Sequence, residues 1–210
     1  MAGSSRGRAL MAVFAYGVKE IEHLRKKDKK LGLAIDRIGP IEREVDPDPF
    51  SAIIGSIVSQ QISNKAAETV LGRLLQSVGA ITPQNLATAD ASEIQKCGMS
   101  HRKAGYIMGV AQAAVTKSLD FDILATLSDE EIIKKLSALQ GVGVWTAEML
   151  LIFSLQRPNV VSFGDLAIRR GMMNLYGLKE LKKDQFAVYK KRYTPYGSVA
   201  SLYLWALSVE

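Results

Sequence analysis

The sequence predicts an all-α protein, on three observations. Apolar residues recur at the three- and four-residue spacing of helices through most of the chain, no long stretch alternates strictly as a half-buried strand would, and helix start and stop signals punctuate the pattern. Ser128 followed by Glu131 is a capping box, Asp90 followed by Glu93 a looser version of one, and Thr194 before Pro195 reads as a cap with proline at the first helical position. Gly98 and Gly177 follow helical patterns, where glycine most easily turns left-handed. Helices are therefore expected at about 10–28, 49–59, 63–77, 90–97, 101–116, 129–138, 144–155, 165–176, 184–191 and 195–208, with ends free to move by a few residues. The Lys26, Lys27, Lys29, Lys30 run reads as a solvated helix end.

The 210 residues, 48% of them hydrophobic, suffice for one substantial core or two small lobes. A net charge of +6 and a pI near 9.4 suit a polyanionic partner, since neutralising phosphates releases counterions. With Cys97 the one cysteine, an internal disulfide and a cysteine-ligated zinc or iron-sulfur site are excluded, and Cys97 reads as inert filler. His23 and His101 lie far apart with no carboxylate at ligand spacing, which disfavours a zinc enzyme. Arg6 and Arg8 followed by the apolar stretch Ala9 to Val18 superficially resemble a signal peptide, but Lys19, Glu20 and Glu22 interrupt it at once, so an intracellular protein without a membrane span is expected.

Two segments carry the chemistry. From Ser137 the chain reads Ser-Ala-Leu-Gln-Gly-Val-Gly-Val-Trp-Thr-Ala-Glu-Met-Leu-Leu, with Gly141 and Gly143 making a tight turn between helices. Such a hairpin exposes backbone N–H groups at the start of its second helix, which can hold a phosphate without reading base sequence; an ordinary helix-helix turn is the plainer alternative. Further on, Val160-Val161-Ser162-Phe163-Gly164-Asp165-Leu166-Ala167-Ile168-Arg169-Arg170-Gly171 places one carboxylate where a loop becomes a helix, and taken alone Asp165 reads as an N-cap.

Together, Leu139 to Ala147 and the following Asp165 resemble the hairpin and catalytic aspartate of the helix-hairpin-helix DNA glycosylases, in their 3-methyladenine DNA glycosylase II branch. The likeness extends over about residues 35–210, through Val58-Ser59-Gln60-Gln61-Ile62-Ser63, Arg102-Lys103-Ala104, Pro195-Tyr196 and Tyr203-Leu204-Trp205. It implies two helical lobes with the active-site cleft between them, one of about residues 1–50 with 160–210 and a central one of about 51–159 carrying the hairpin. It also implies a compact form lacking the extra N-terminal β-rich domain of some bacterial members. This chain departs from the family pattern at Gln140 and Ser162, where prolines are usual, which bears on loop rigidity more than on chemistry.

By this resemblance the protein is a monomer that binds duplex DNA containing damaged bases, needs no cofactor, and hydrolyses the N-glycosidic bond of alkylated purines of the 3-methyladenine and 7-methylguanine type, leaving an abasic site. Asp165 would stabilise the oxocarbenium-like sugar, or accept a proton from the attacking water. Trp145 stands where bifunctional relatives carry a Schiff-base lysine, so a monofunctional enzyme is implied. Trp145, Phe163, Tyr196 and Trp205, with Tyr203 behind them, are the candidates for holding a cationic base between rings. Gln61, with Gln60 as neighbour, would fill the gap left by the extruded nucleotide. Gly141, Gly143, Val144, Thr146, Arg102, Lys103, Arg169 and Arg170 are the candidate DNA-backbone contacts, and a monovalent ion on the carbonyls of Leu139 and Gly141 is a further implication. A non-catalytic hairpin module and a monofunctional glycosylase for deaminated bases remain as alternatives; the ranking of damaged bases depends on pocket shape.

Overall fold

The computed structural model describes residues 12–210, and the beginning of the first expected helix, with Arg6 and Arg8, lies outside them. The described chain is all-α: α1 (Val18–Lys27), α2 (Lys29–Ile38), α3 (Pro49–Ser59), α4 (Asn64–Val78), α5 (Pro83–Thr88), α6 (Ala91–Lys96), α7 (His101–Val115), α8 (Asp129–Ser137), α9 (Val144–Phe153), α10 (Leu166–Tyr176), α11 (Lys183–Tyr193) and α12 (Gly197–Leu207). The chain divides into two compact units, one formed by Met1–Pro47 with Gln156–Glu210 and the other by Asp48–Leu155. None of these helices is long and apolar enough to cross a membrane.

Most helices start where a short polar side chain takes a first-turn N–H. Asp48 caps α3 ahead of Pro49, Ser63 caps α4, Ser100 caps α7, and Ser128 with Glu131 forms the reciprocal box of α8. Gly177 ends α10 in the left-handed region, at φ 69° and ψ 40°.

Four expectations are corrected. Ala12 to Gly17 is not helical: it is extended, bridges Glu44 through Val13, and α1 begins at Val18. The lysine run is not one helix end, because Asp28 breaks it and caps α2, accepting from the Leu31 N–H at 3.0 Å. A six-residue helix, α5, was not expected; Thr82 caps it and Pro83 opens it, but Leu86 is its one buried side chain, too little for a periodic signal. Thr194 and Pro195 do not open the last helix: their peptide bond is cis, Thr194 closes α11, and Tyr196 precedes α12.

In the unit of the two chain ends, α12 is the central element, with every residue from Gly197 to Leu204 buried, and α10 crosses it at Gly171. A polar knot ties α2, α10 and α11. The buried Asp28 carboxylate accepts from the Tyr176 hydroxyl at 2.6 Å and from Arg192 at 3.2 Å, and the Tyr176 and Tyr193 hydroxyls lie 2.8 Å apart. Burial holds the Tyr176 and Tyr193 phenols far above their ordinary range, and Tyr203 likewise. A raised folded-state pKa contributes stability that is complete below the unfolded phenol value and lost above it. The melting temperature is therefore expected to be level between about pH 7 and pH 9 and to fall as the pH passes about 10, with Tyr176→Phe flattening the fall.

The core of the other unit is built from α3 (Ile53, Ile54, Ile57, Val58), α7 (Ala104, Ile107, Val110, Ala111) and α9 (Ala147, Leu150, Leu151, Ile152), with α8 adding Ile132 and Leu136. Cys97 is buried as a free thiol.

Candidate active site

The turn between α8 and α9 has the backbone that an anion-binding hairpin requires. Gly141 has φ +82°, and an added Cβ would stand 2.3 Å from the ring of Tyr106, so a side chain is excluded both by conformation and by space. Val142 is buried and donates its N–H to the Leu139 carbonyl at 3.2 Å. Gly143 is the N-cap of α9 and offers no side chain to its first-turn N–H groups, while Val144 and Trp145 at that helix start are 53% and 44% exposed. The N–H groups of a helix's first turn, with the positive end of its dipole, favour an anion such as a phosphate oxygen.

Asp165 is the N-cap of α10 and only 7% exposed. Its Oδ1 accepts from the Ile168 N–H at 2.9 Å. The plain capping role is thus real, and it also fixes the carboxylate in one orientation. The chain leading to it is pinned by α12: the Ser198 hydroxyl donates to the Arg157 carbonyl at 2.5 Å and accepts from the Val160 N–H at 3.0 Å, and the Ser201 hydroxyl donates to the Val160 carbonyl at 2.9 Å. Gly197 gives way to the same segment, since a Cβ there would meet Val161 at 2.8 Å. Two buried serines of an otherwise apolar helix therefore anchor the chain at Arg157 and Val160, ahead of Asp165.

Residues 54–192 match the model of the HhH-GPD superfamily of base excision DNA repair proteins. The chain belongs to this superfamily. It is 31% identical to the DNA-3-methyladenine glycosylase 1 of Schizosaccharomyces pombe over 86% of this chain and 81% of that protein. A DNA-3-methyladenine glycosidase from Bacillus halodurans superposes with a TM-score of 0.85 at 36% identity, covering 94% of this chain and 93% of the other. A Schizosaccharomyces pombe 3-methyladenine DNA glycosylase in complex with abasic DNA superposes with a TM-score of 0.77 at 29% identity, covering 90% and 95%.

Within this superfamily member, the residues singled out by sequence divide into two groups. Gln61 is exposed, at the tip after α3, and adopts φ +61°. Trp145, Arg102 and Arg170 are exposed, and Trp205 is half-buried on α12. The others have different work. The Lys103 ammonium donates to the carbonyls of Val58 at 2.8 Å and Gln60 at 2.5 Å, and burial lowers its pKa. The Gln60 amide donates to the Gly141 carbonyl at 2.8 Å. The Thr146 side chain is buried, which leaves its backbone alone as a contact. Phe163, in the loop before α10, packs edge-on against Phe186 with ring centroids 5.1 Å apart, and the guanidinium of Arg169 in α10 lies 5.1 Å over its ring. Tyr196 packs edge-on against His23, and Tyr203 is buried with its hydroxyl on the Gly39 carbonyl.

The carbonyls of Leu139 and Gly141 each accept one N–H, from Val142 at 3.2 Å and from the Gln60 amide at 2.8 Å. Among the described residues no three His, Cys, Asp or Glu side chains gather as metal ligands.

Proposed function

We propose that this protein is a monofunctional DNA glycosylase that takes alkylated purines of the 3-methyladenine and 7-methylguanine type out of duplex DNA and hydrolyses their N-glycosidic bond, leaving an abasic site in base excision repair. The observation that carries the reading is Asp165, a carboxylate almost withdrawn from water yet held in a single orientation by a helix N–H, in a chain of this superfamily. A negative charge beside bound DNA weakens affinity, so a binding module has no use for it, whereas a glycosylase does. As the bond to a cationic base breaks, positive charge passes to the sugar, and a carboxylate in a dry site stabilises it. A 3- or 7-alkylated purine already carries the charge that makes it a leaving group, so no acid is needed on the base.

The remaining roles follow from exposure. The α9 start takes a backbone phosphate, Arg102 and Arg170 add cationic contacts, Gln61 enters the stack as the nucleotide leaves, and the open Trp145 ring receives the cationic base. The setting is intracellular, where the DNA is. Because an indole cannot form a Schiff base, water is the nucleophile and the strand is left intact. Incubated with methylated duplex DNA, the protein is expected to produce strand breaks only after the DNA is heated in alkali. Breaks before alkali would overturn the monofunctional reading.

A further inference from the structure

We propose that Lys103 and Gln60 are positioning residues that lock the Gln61 tip to the helix hairpin at a set spacing, so that wedge and phosphate anchor engage the duplex as one rigid piece. The inference rests on the wedge role given to Gln61 above.

The last turn of α3 contains no basic residue, so the partial negative charge of its terminal carbonyls has no partner on its own helix. Lys103, reaching across from α7, supplies the missing cation by donating to the Val58 and Gln60 carbonyls. The chain then turns at Gln61, whose φ of +61° costs a residue with a side chain about 1 kcal/mol and persists where its surroundings impose it. Gln60, just before the turn, is held twice: its carbonyl accepts from Lys103, and its amide reaches the Gly141 carbonyl of the hairpin. Tyr106 stands three residues after Lys103 on the same face of α7, and its ring fills the space that makes Gly141 necessary. One face of α7 therefore holds both the tip and the hairpin turn, and all six residues lie in the Asp48–Leu155 unit.

A duplex carrying one 7-methylguanine opposite cytosine must be unstacked and unpaired, while the same lesion opposite an abasic site is already loose. Under single-turnover conditions Lys103→Met is expected to slow release about tenfold from the first duplex and less than about twofold from the second. Lys103→Arg, which keeps the cation, should recover most of the rate. In a Gln61→Ala background Lys103→Met should add nothing, because a lock has no effect once its wedge is gone. Gln60→Ala is the second variant should Lys103→Met fold poorly, with the same pattern expected. Equal losses on both duplexes, or a full loss persisting in the Gln61→Ala background, would overturn the positioning role. Should the wild type release neither 7-methylguanine from these duplexes nor 3-methyladenine from methylated DNA, the glycosylase reading fails. The lock is then read from 2-aminopurine placed beside an abasic site in bound DNA: fluorescence raised by wild type but not by Lys103→Met or Gln61→Ala supports it, and equal fluorescence for all three overturns it.

Discussion

Asp165→Asn is expected to lower the rate of base release about a thousandfold while the protein still folds and binds duplex DNA. Asparagine caps a helix as well as aspartate does, and its carbonyl oxygen can keep the Ile168 N–H that Oδ1 now accepts at 2.9 Å. The change therefore keeps the cap of α10 and removes the negative charge. Its effect on binding should have the opposite sign: with one anion fewer near phosphate, affinity for duplex DNA rises and salt weakens it as before. Single-turnover excision and a salt titration of binding check the two halves. A loss of less than about tenfold would show that another group stabilises the sugar cation.

Gly171→Ala is the substitution with the largest expected effect on stability. An added Cβ would lie 1.8 Å from the Leu204 carbonyl oxygen, and both sides of that contact are backbone, so no side chain can swing away. Either α10 or α12 must move, and α12 is the buried centre of its unit. The cost should reach about 3 kcal/mol, a large share of the stability of an ordinary domain. Because Asp165 heads α10, base release should fall with the fold. Gly72→Ala in α4 is the control: its Cβ would meet nothing within 4 Å, and it should stabilise by about 0.5–1 kcal/mol. Thermal melts of the two variants should move in opposite directions.

The helical pattern was legible because local rules decide it: the Ser128–Glu131 box, the Asp90 cap and the left-handed Gly177 all stand where the sequence signals them. Two helices escaped for local reasons as well. Lysines around Asp28 masked the Leu31, Ala34, Ile35 stripe of α2, and α5 is too short to show a period. The site was legible only by residue type. Lysine beside arginine at a helix start suggests phosphate, yet the carbonyls that claim Lys103 lie 43 and 45 residues earlier in the chain. Tyr106 under Gly141, and Ser198 and Ser201 behind the chain that leads to Asp165, are likewise tertiary facts with no local spacing to announce them. Physical position also separates aromatics that look alike in sequence: Trp145 is open, while Tyr203 is sealed in the core.

The most direct test of the central claim is chromatography of what the protein releases from methylated duplex DNA. Free 3-methyladenine or 7-methylguanine should appear with the wild type and be absent with Asp165→Asn. If the wild type binds the duplex in a salt-sensitive way and yet frees no base, the hairpin is a DNA-binding device alone and Asp165 is nothing more than a helix cap.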